Sequence, residues 1–202
     1  MIAGILALQG DFAAHADTLG SISVGSKYIR RPDDLDGIDG LVMPGGESTT
    51  MSILMESVGL FEPLRRLMID GMPVLATCAG MIMLSAEIAD GRDDQISFKM
   101  LDVSIKRNGY GRQLQSFEKD IWISDLGPAP FHGVFIRAPR VIAVGPRVEV
   151  LARVEGDTVM CREQNVLACT FHPELTDDRR VHSLFVQMMR NGSRQDMDRK
   201  VI

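Results

Sequence analysis

Pro73-Val74-Leu75-Ala76-Thr77-Cys78-Ala79-Gly80, continued by Met81-Ile82-Met83-Leu84-Ser85-Ala86-Glu87-Ile88, is the most informative stretch of the chain. A short apolar run leads into a cysteine with small neighbours, and a helical segment begins directly after it. That layout predicts a nucleophile elbow, a tight strand-to-helix turn in which small flanking residues let the nucleophile project from the sheet edge. Unpaired N–H groups and the dipole at a helix start favour a thiolate, and the Ala79 N–H is aimed at a developing oxyanion. The same residues also suit a plain buried cysteine, because a free cysteine packs as a small hydrophobe. The stretch alone leaves both readings open.

Working outward, residues 2–8, 27–30, 40–43 and 73–77 read as strands, with helical spacing over 11–19, 48–58 and 61–69 between them. Alternating strands and helices predict a parallel sheet covered on both faces. The second half has a shorter rhythm, with candidate strands at 101–105, 114–117, 133–136, 141–144, 148–154, 158–162 and 166–171. Tight connections between them suggest antiparallel strands added to the parallel core. Residues 178–190 read as a closing helix, with Val181, Leu184, Phe185 and Met188 on one face. The fold class expected is α/β, a mainly parallel sheet flanked by helices with added antiparallel strands. It forms one domain over residues 1–192, and the polar residues 193–202 read as a flexible tail.

A chain of 202 residues with 45% hydrophobic and 24% charged side chains can bury a water-excluding core. No apolar run reaches the ~20 residues of a membrane span, and the start, Met1 to Leu8, reads as a buried strand rather than a signal peptide. Net charge is −5 with Lys and Arg scattered, which argues against a nucleic-acid partner. Cys78, Cys161 and Cys169 are an odd number without metal-like spacing. They fit a reduced, cytoplasmic setting better than a disulfide framework. Cys161 and Cys169 read as buried thiols on neighbouring strands.

Cys169-Thr170-Phe171-His172-Pro173-Glu174 ends an apolar strand on a histidine, and Pro173 stops ordinary pairing from continuing. A histidine can take a thiol proton and return it to a leaving amine, while a carboxylate fixes its tautomer. A loop histidine beside a solvated glutamate gives the same pattern. His15 in the first helix, His132 on a proline-rich turn and His182 in the last helix compete weakly as bases. Leu41-Val42-Met43-Pro44-Gly45-Gly46-Glu47-Ser48-Thr49-Thr50 is another strand, glycine turn and helix start. Its glycines permit N–H groups to face a bound carbonyl, and Ser48 or Thr49 suits a helix cap. No Lys follows in the pattern of a phosphate loop.

Together the Pro-Gly-Gly-Glu-Ser loop, the Thr-Cys-Ala-Gly elbow and the Phe-His-Pro-Glu segment resemble the triad glutaminases of the class I amidotransferase fold. Leu8-Gln9-Gly10 with His15, Arg107-Asn108-Gly109-Tyr110-Gly111-Arg112-Gln113 and Phe135-Ile136-Arg137-Ala138-Pro139 narrow the resemblance to the glutaminase subunits of pyridoxal 5′-phosphate synthases. Ala76 stands where these enzymes often carry glycine, and Tyr110 where phenylalanine is common. The resemblance implies Cys78 as nucleophile, His172 as general base and acid, and Glu174 as its orienter. It implies oxyanion N–H groups at Gly46 and Ala79, and a glutamine site lined by Gly46, Glu47, Ser48, Arg107, Ile136 and Arg137. An arginine suits the planar α-carboxylate of L-glutamine. Gln9 and His15 match a segment near the synthase-facing surface and are expected partner contacts. The partner implied is the synthase subunit of pyridoxal 5′-phosphate synthase, and the amidase half needs no metal or cofactor.

Overall fold

The computed structural model describes residues 1–92, 94–107, 109 and 116–199, with side chains through residue 192. Five parallel strands form the centre: β1 (Ile2–Leu6), β2 (Gly25–Ile29), β3 (Gly40–Met43), β4 (Val74–Thr77) and β12 (Val166–Cys169). Two antiparallel strands, β10 (Glu149–Val154) and β11 (Asp157–Glu163), extend one edge, giving the order β10-β11-β12-β4-β3-β1-β2. The expected fold class is the observed one, although β12 joins the parallel set beside β4 rather than the antiparallel additions.

Period-two alternation explains why helices cover both faces. In β4, Val74 and Ala76 enter one apolar cluster and Leu75 the other; in β12, Val166 and Ala168 divide from Leu167 in the same way. The first cluster is covered by α2 (Ser48–Ser57), α3 (Phe61–Ile69) and α4 (Ala79–Leu84), through Met51, Met55, Leu64 and Met81. The second is covered by α1 (Phe12–Ser21) and α5 (Arg180–Arg199), through Leu19, Val181 and Phe185. Each fully buried side chain of this size stabilises by roughly 1.5–3 kcal/mol.

The remaining strands stand outside the main sheet. β5 (Ser85–Ile88), β6 (Leu101–Lys106) and β9 (Arg140–Val144) form a three-stranded sheet, and β7 (Ser116–Ile121) pairs with β8 (Phe131–Ile136) as a hairpin. The helix after Cys78 is therefore six residues long and gives way to a strand that the sequence pattern does not separate from it. Ser85 breaks the helix, its hydroxyl donating to the Ile82 carbonyl and its own carbonyl accepting from Ser97. His132 lies in β8, not on a turn, opposite Asp120. The closing helix runs to Arg199, beyond the expected end. Among the described residues no helix is long and apolar enough to cross a membrane.

Candidate active site

The site is built where β4 and β12 end side by side. Thr77 is the Cα partner of Cys169, and the Cys78 N–H donates to the Cys169 carbonyl at 2.9 Å. Asn165 fixes this register, donating to the carbonyls of Met68 and Met72 while its own carbonyl accepts from Val74 N–H at 2.8 Å. Both strands thus release their chains at the same end of the sheet, one into the elbow and the other into the His172 turn.

Cys78 is 6% exposed and has φ 48° and ψ −106°, a strained backbone for a side chain with a Cβ. Such strain costs about 1–3 kcal/mol, no more than one well-buried neighbour contributes, and all four residues of β4 are buried. Its Sγ lies 3.9 Å from the Ile136 carbonyl, and it lines the same cleft as His172, with which it interacts electrostatically. His172 Nδ1 is 2.8 Å from Glu174 Oε1, and the His172 backbone N–H donates to Val134 of β8 at 2.8 Å. The three residues expected as a triad are therefore brought to one site, with His172 and Glu174 in direct contact. Glu174 sits within a 3-10 turn, Pro173–Leu175, which lets side chains two positions apart converge.

Burial opposes a charge on His172, yet its hydrogen bonds and ionic contacts with Cys78 and Glu174 prevail and lift its pKa from 6.5 to about 10. Burial likewise works against the Glu174 carboxylate, but its contacts with His15 and His172 hold it below the ordinary range. The other cysteines differ. Burial, aided by Glu163, pushes the Cys161 thiol up to about 12, and burial raises Cys169 well above its usual value. Both lie on neighbouring strands, as expected, and are fully buried.

These shifts set a pH window for stability. His172 has a raised folded value, so its imidazolium contributes fully below 6.5 and that contribution fades as pH rises through about 10. His182 is lowered from 6.5 to about 3, chiefly by burial. The unfolded chain then binds a proton that the folded chain refuses, and stability falls as pH drops from 6.5 towards 3. The thermal unfolding midpoint is expected to be highest near the ordinary histidine value of 6.5 and to fall on either side. In Cys78→Ala, which removes one support of the imidazolium, the alkaline fall should be shallower in the same calorimetric series.

In front of this row opens a cleft of about 430 Å³. Gly46, Glu47, Ser48, Arg107, Ile136 and Arg137 all line it, together with Cys78 and His172. Ile82 on α4 also lines it and was not anticipated, since it reads as one more apolar residue of a helix. Ala79 is the first residue of α4, so its N–H has no partner within the helix. Arg107 is steered by Nη1 hydrogen bonds to Thr49 Oγ1 (2.8 Å) and Gln95 Oε1 (3.2 Å). The neighbouring motif residues Asn108 and Tyr110 to Gln113 lie outside the described residues.

Two expectations are corrected. The cap of α2 is Glu47, whose carboxylate accepts from the N–H groups of Thr49 (3.2 Å) and Thr50 (2.6 Å), not Ser48 or Thr49. Ser48 is 3% exposed, and its hydroxyl accepts from Gln95 Nε2 at 3.0 Å. His15, expected as a partner contact, is fully buried, with Nε2 3.4 Å from Glu174 Oε2. Gln9, the other expected partner contact, is half-buried on the wall of the cleft, where its Oε1 accepts from the Glu47 N–H at 2.6 Å.

The glycine pair is required by close approach. A Cβ on Gly45 would overlap the His172 ring, and one on Gly46, at φ 150°, would overlap the Gln9 amide. Gly45→Ala is expected to displace His172 and lower turnover by about 10²-fold, the low end of what a positioned acid–base group supplies. Steady-state kinetics against the unchanged protein would check it.

Comparison with known proteins places this geometry. Residues 5–191 match the model of the SNO glutamine amidotransferase family. The pyridoxal 5′-phosphate synthase subunit PdxT of Streptomyces griseus is 49% identical over 189 residues, covering 94% of this chain and 96% of that protein. Its counterpart from Corynebacterium jeikeium is 46% identical over 191 residues, covering 94% and 97%. A crystal structure of a glutamine amidotransferase superposes with a TM-score of 0.88 at 40% identity, covering 94% of this chain and 99% of that one. A putative GMP synthase component from Thermoplasma acidophilum, 16% identical with a TM-score of 0.66 and 98% of each chain covered, shares the fold. With a family model spanning nearly its whole length and relatives near half identical, this chain belongs to the SNO glutamine amidotransferase family.

Proposed function

We propose that this chain hydrolyses the side-chain amide of L-glutamine and delivers the ammonia to the synthase subunit of a pyridoxal 5′-phosphate synthase. The observation that carries the chemistry is a cleft lined by both Cys78 and His172, with the His172 ring held from behind by Glu174 at 2.8 Å. The partner assignment rests on relatives named as synthase subunits and matched over almost their whole length.

Cys78 passes its thiol proton to His172 and is the nucleophile. Its sulfur attacks the amide carbon, and the resulting oxyanion is met by the N–H groups of Gly46 and Ala79. His172 gives its proton to the nitrogen, ammonia leaves, and a γ-glutamyl thioester remains. Water, deprotonated by the now neutral His172, attacks the thioester; collapse releases glutamate and returns thiolate and imidazolium. Glu174 holds His172 Nδ1–H throughout, so that Nε2 faces the sulfur. Arg107 and Arg137 receive the α-carboxylate, while Glu47, Ser48 and Ile136 complete the pocket wall. Glu47 does so with its carboxylate engaged in capping α2, so its part is in shape and in holding the loop.

The test is glutamate release from glutamine by the purified chain, with and without the candidate synthase subunit, using Cys78→Ala as control. Release that rises with the synthase and vanishes in the variant supports both chemistry and partner. Basal release lost in the variant but indifferent to the synthase keeps the chemistry and discards the partner. No release in any mixture overturns the hydrolase reading.

A further inference from the structure

We infer that His15, backed by His182, is a positioning residue for Glu174, its Nε2–H engaging the carboxylate oxygen that His172 leaves unused. This deepens the glutaminase reading and rests on it. It extends the row of three side chains to five, drawing in α1 and α5.

The geometry is a continuous buried chain. Glu174 Oε1 meets His172 Nδ1 at 2.8 Å, and Glu174 Oε2 lies 3.4 Å from His15 Nε2. His15 Nδ1 is 2.9 Å from His182 Nε2, and both rings are fully buried. Thr77 Oγ1, next to the nucleophile, is also 3.4 Å from His15 Nε2. Glu174 Oε2 has no aligned hydrogen bond, and neither has His182 Nδ1. The 3.4 Å separation is within ionic reach but long for N–H···O; active-site hydrogen bonds commonly tighten only when substrate is bound.

Proton bookkeeping gives the direction. Burial lowers the pKa of both histidines, so the pair is neutral and shares a single N–H···N bond. If the His182 proton sat on Nδ1, a buried N–H would be left without an acceptor, which is rarer in proteins than an unused acceptor. His15 would then donate from Nδ1 and aim its Nε2 lone pair at a carboxylate. Both faults vanish when His182 carries its proton on Nε2 and donates to His15 Nδ1. His15 then carries its own proton on Nε2, towards Glu174. His182 thus sets the tautomer of His15, as Glu174 sets that of His172.

The consequence falls on Glu174. The terminal torsion of a glutamate is broad, so one hydrogen bond on Oε1 leaves the group free to swing. A donor on Oε2 pins both oxygens, and because it is neutral it stabilises the carboxylate without bringing a second cation to compete with His172. The charged and titratable neighbours are few. His15 faces Glu174, His172, His182 and Asp11; His182 faces His15, Glu174 and Arg179; Glu174 also faces Cys169.

The test compares His15→Leu, His15→Gln and His15→Asn in the full chain with its synthase. A Gln amide reaches the place of Nε2, whereas an Asn amide reaches that of Nδ1. Leu and Asn are expected to lower kcat about tenfold, a fraction of what general acid–base catalysis supplies, with KM nearly unchanged. Gln should recover most of the loss. The acid limb of the kcat profile should move up by about one pH unit in Leu and Asn, as an unsupported buried carboxylate protonates more readily. Equal activity for Gln and Asn overturns the inference, including when the Leu variant fails to fold. The rate of Cys78 alkylation by iodoacetamide, followed against pH, reads the same pair without turnover. A wild type that alkylates with the expected acid limb but releases no glutamate would overturn the hydrolase reading and leave the positioning role standing. An acid limb unmoved in His15→Asn would overturn the positioning role alone.

Discussion

Cys78→Ala is expected to lower glutamate release by on the order of 10⁶-fold, to the level that binding and oxyanion donors alone sustain. Nucleophile and base act as a unit, so removing the sulfur costs about as much as removing the row. Glutamine affinity should change little, because ten of the described residues line the cleft and the variant alters one of them by a single atom. The fold should tolerate the change. Alanine fits the volume, and a left-handed backbone at φ 48° remains as strained for alanine as for cysteine. Calorimetric titration with glutamine beside a turnover assay separates the two effects. Turnover surviving in the variant refutes the nucleophile assignment, and lost binding would show that the sulfur holds substrate rather than attacking it.

Glu174→Gln is the second large effect, about 10⁴-fold in kcat by analogy with the buried carboxylate of a serine triad. The argument is tautomeric. The Glu174 carboxylate can only accept from His172 Nδ1, 2.8 Å away, which leaves Nε2 free to take a proton from the thiol side. A glutamine can turn its amide to donate to Nδ1 instead, forcing the His172 proton onto Nε2 and removing the base. Loss of the carboxylate also withdraws one of the groups that lift the His172 pKa to about 10. Iodoacetamide should then modify Cys78 more slowly at neutral pH. A variant with unchanged alkylation and unchanged kcat would show that His172 is oriented by something other than Glu174.

Much of the architecture was legible in local pattern. The strands at 40–43 and 74–77 are apolar runs bounded by proline and glycine, and all their residues are buried. The elbow, the glycine loop and the His172 turn are each a strand followed by a residue type that demands a break, so their positions could be read without knowing where they meet. What local pattern could not separate was helix from strand over residues 81–88, where one apolar run serves α4 first and β5 after Ser85. His132 looked like a turn residue because of Pro128 and Pro130, yet pairing with β7 extends β8 back to Phe131. His15 was misplaced for a different reason. Its environment is made by Glu174 and His182, partners that only the closed sheet and the docked α5 bring to it.

The pairing of β12 with β4 has a consequence for the life of the chain during synthesis. The strand leading to Cys78 is complete early, but His172 and Glu174 follow a strand that must insert between β4 and β11 near the end of the sequence. Until that strand has emerged and docked, β4 is a sheet edge, the elbow has no imidazole beside it, and Glu174 has no buried seat. Long-range parallel pairing of this kind is a slow step of folding. Under the proposed function competence therefore switches on late, and a nascent or truncated chain ending before residue 172 is expected to stay chemically silent instead of releasing ammonia with no acceptor at hand.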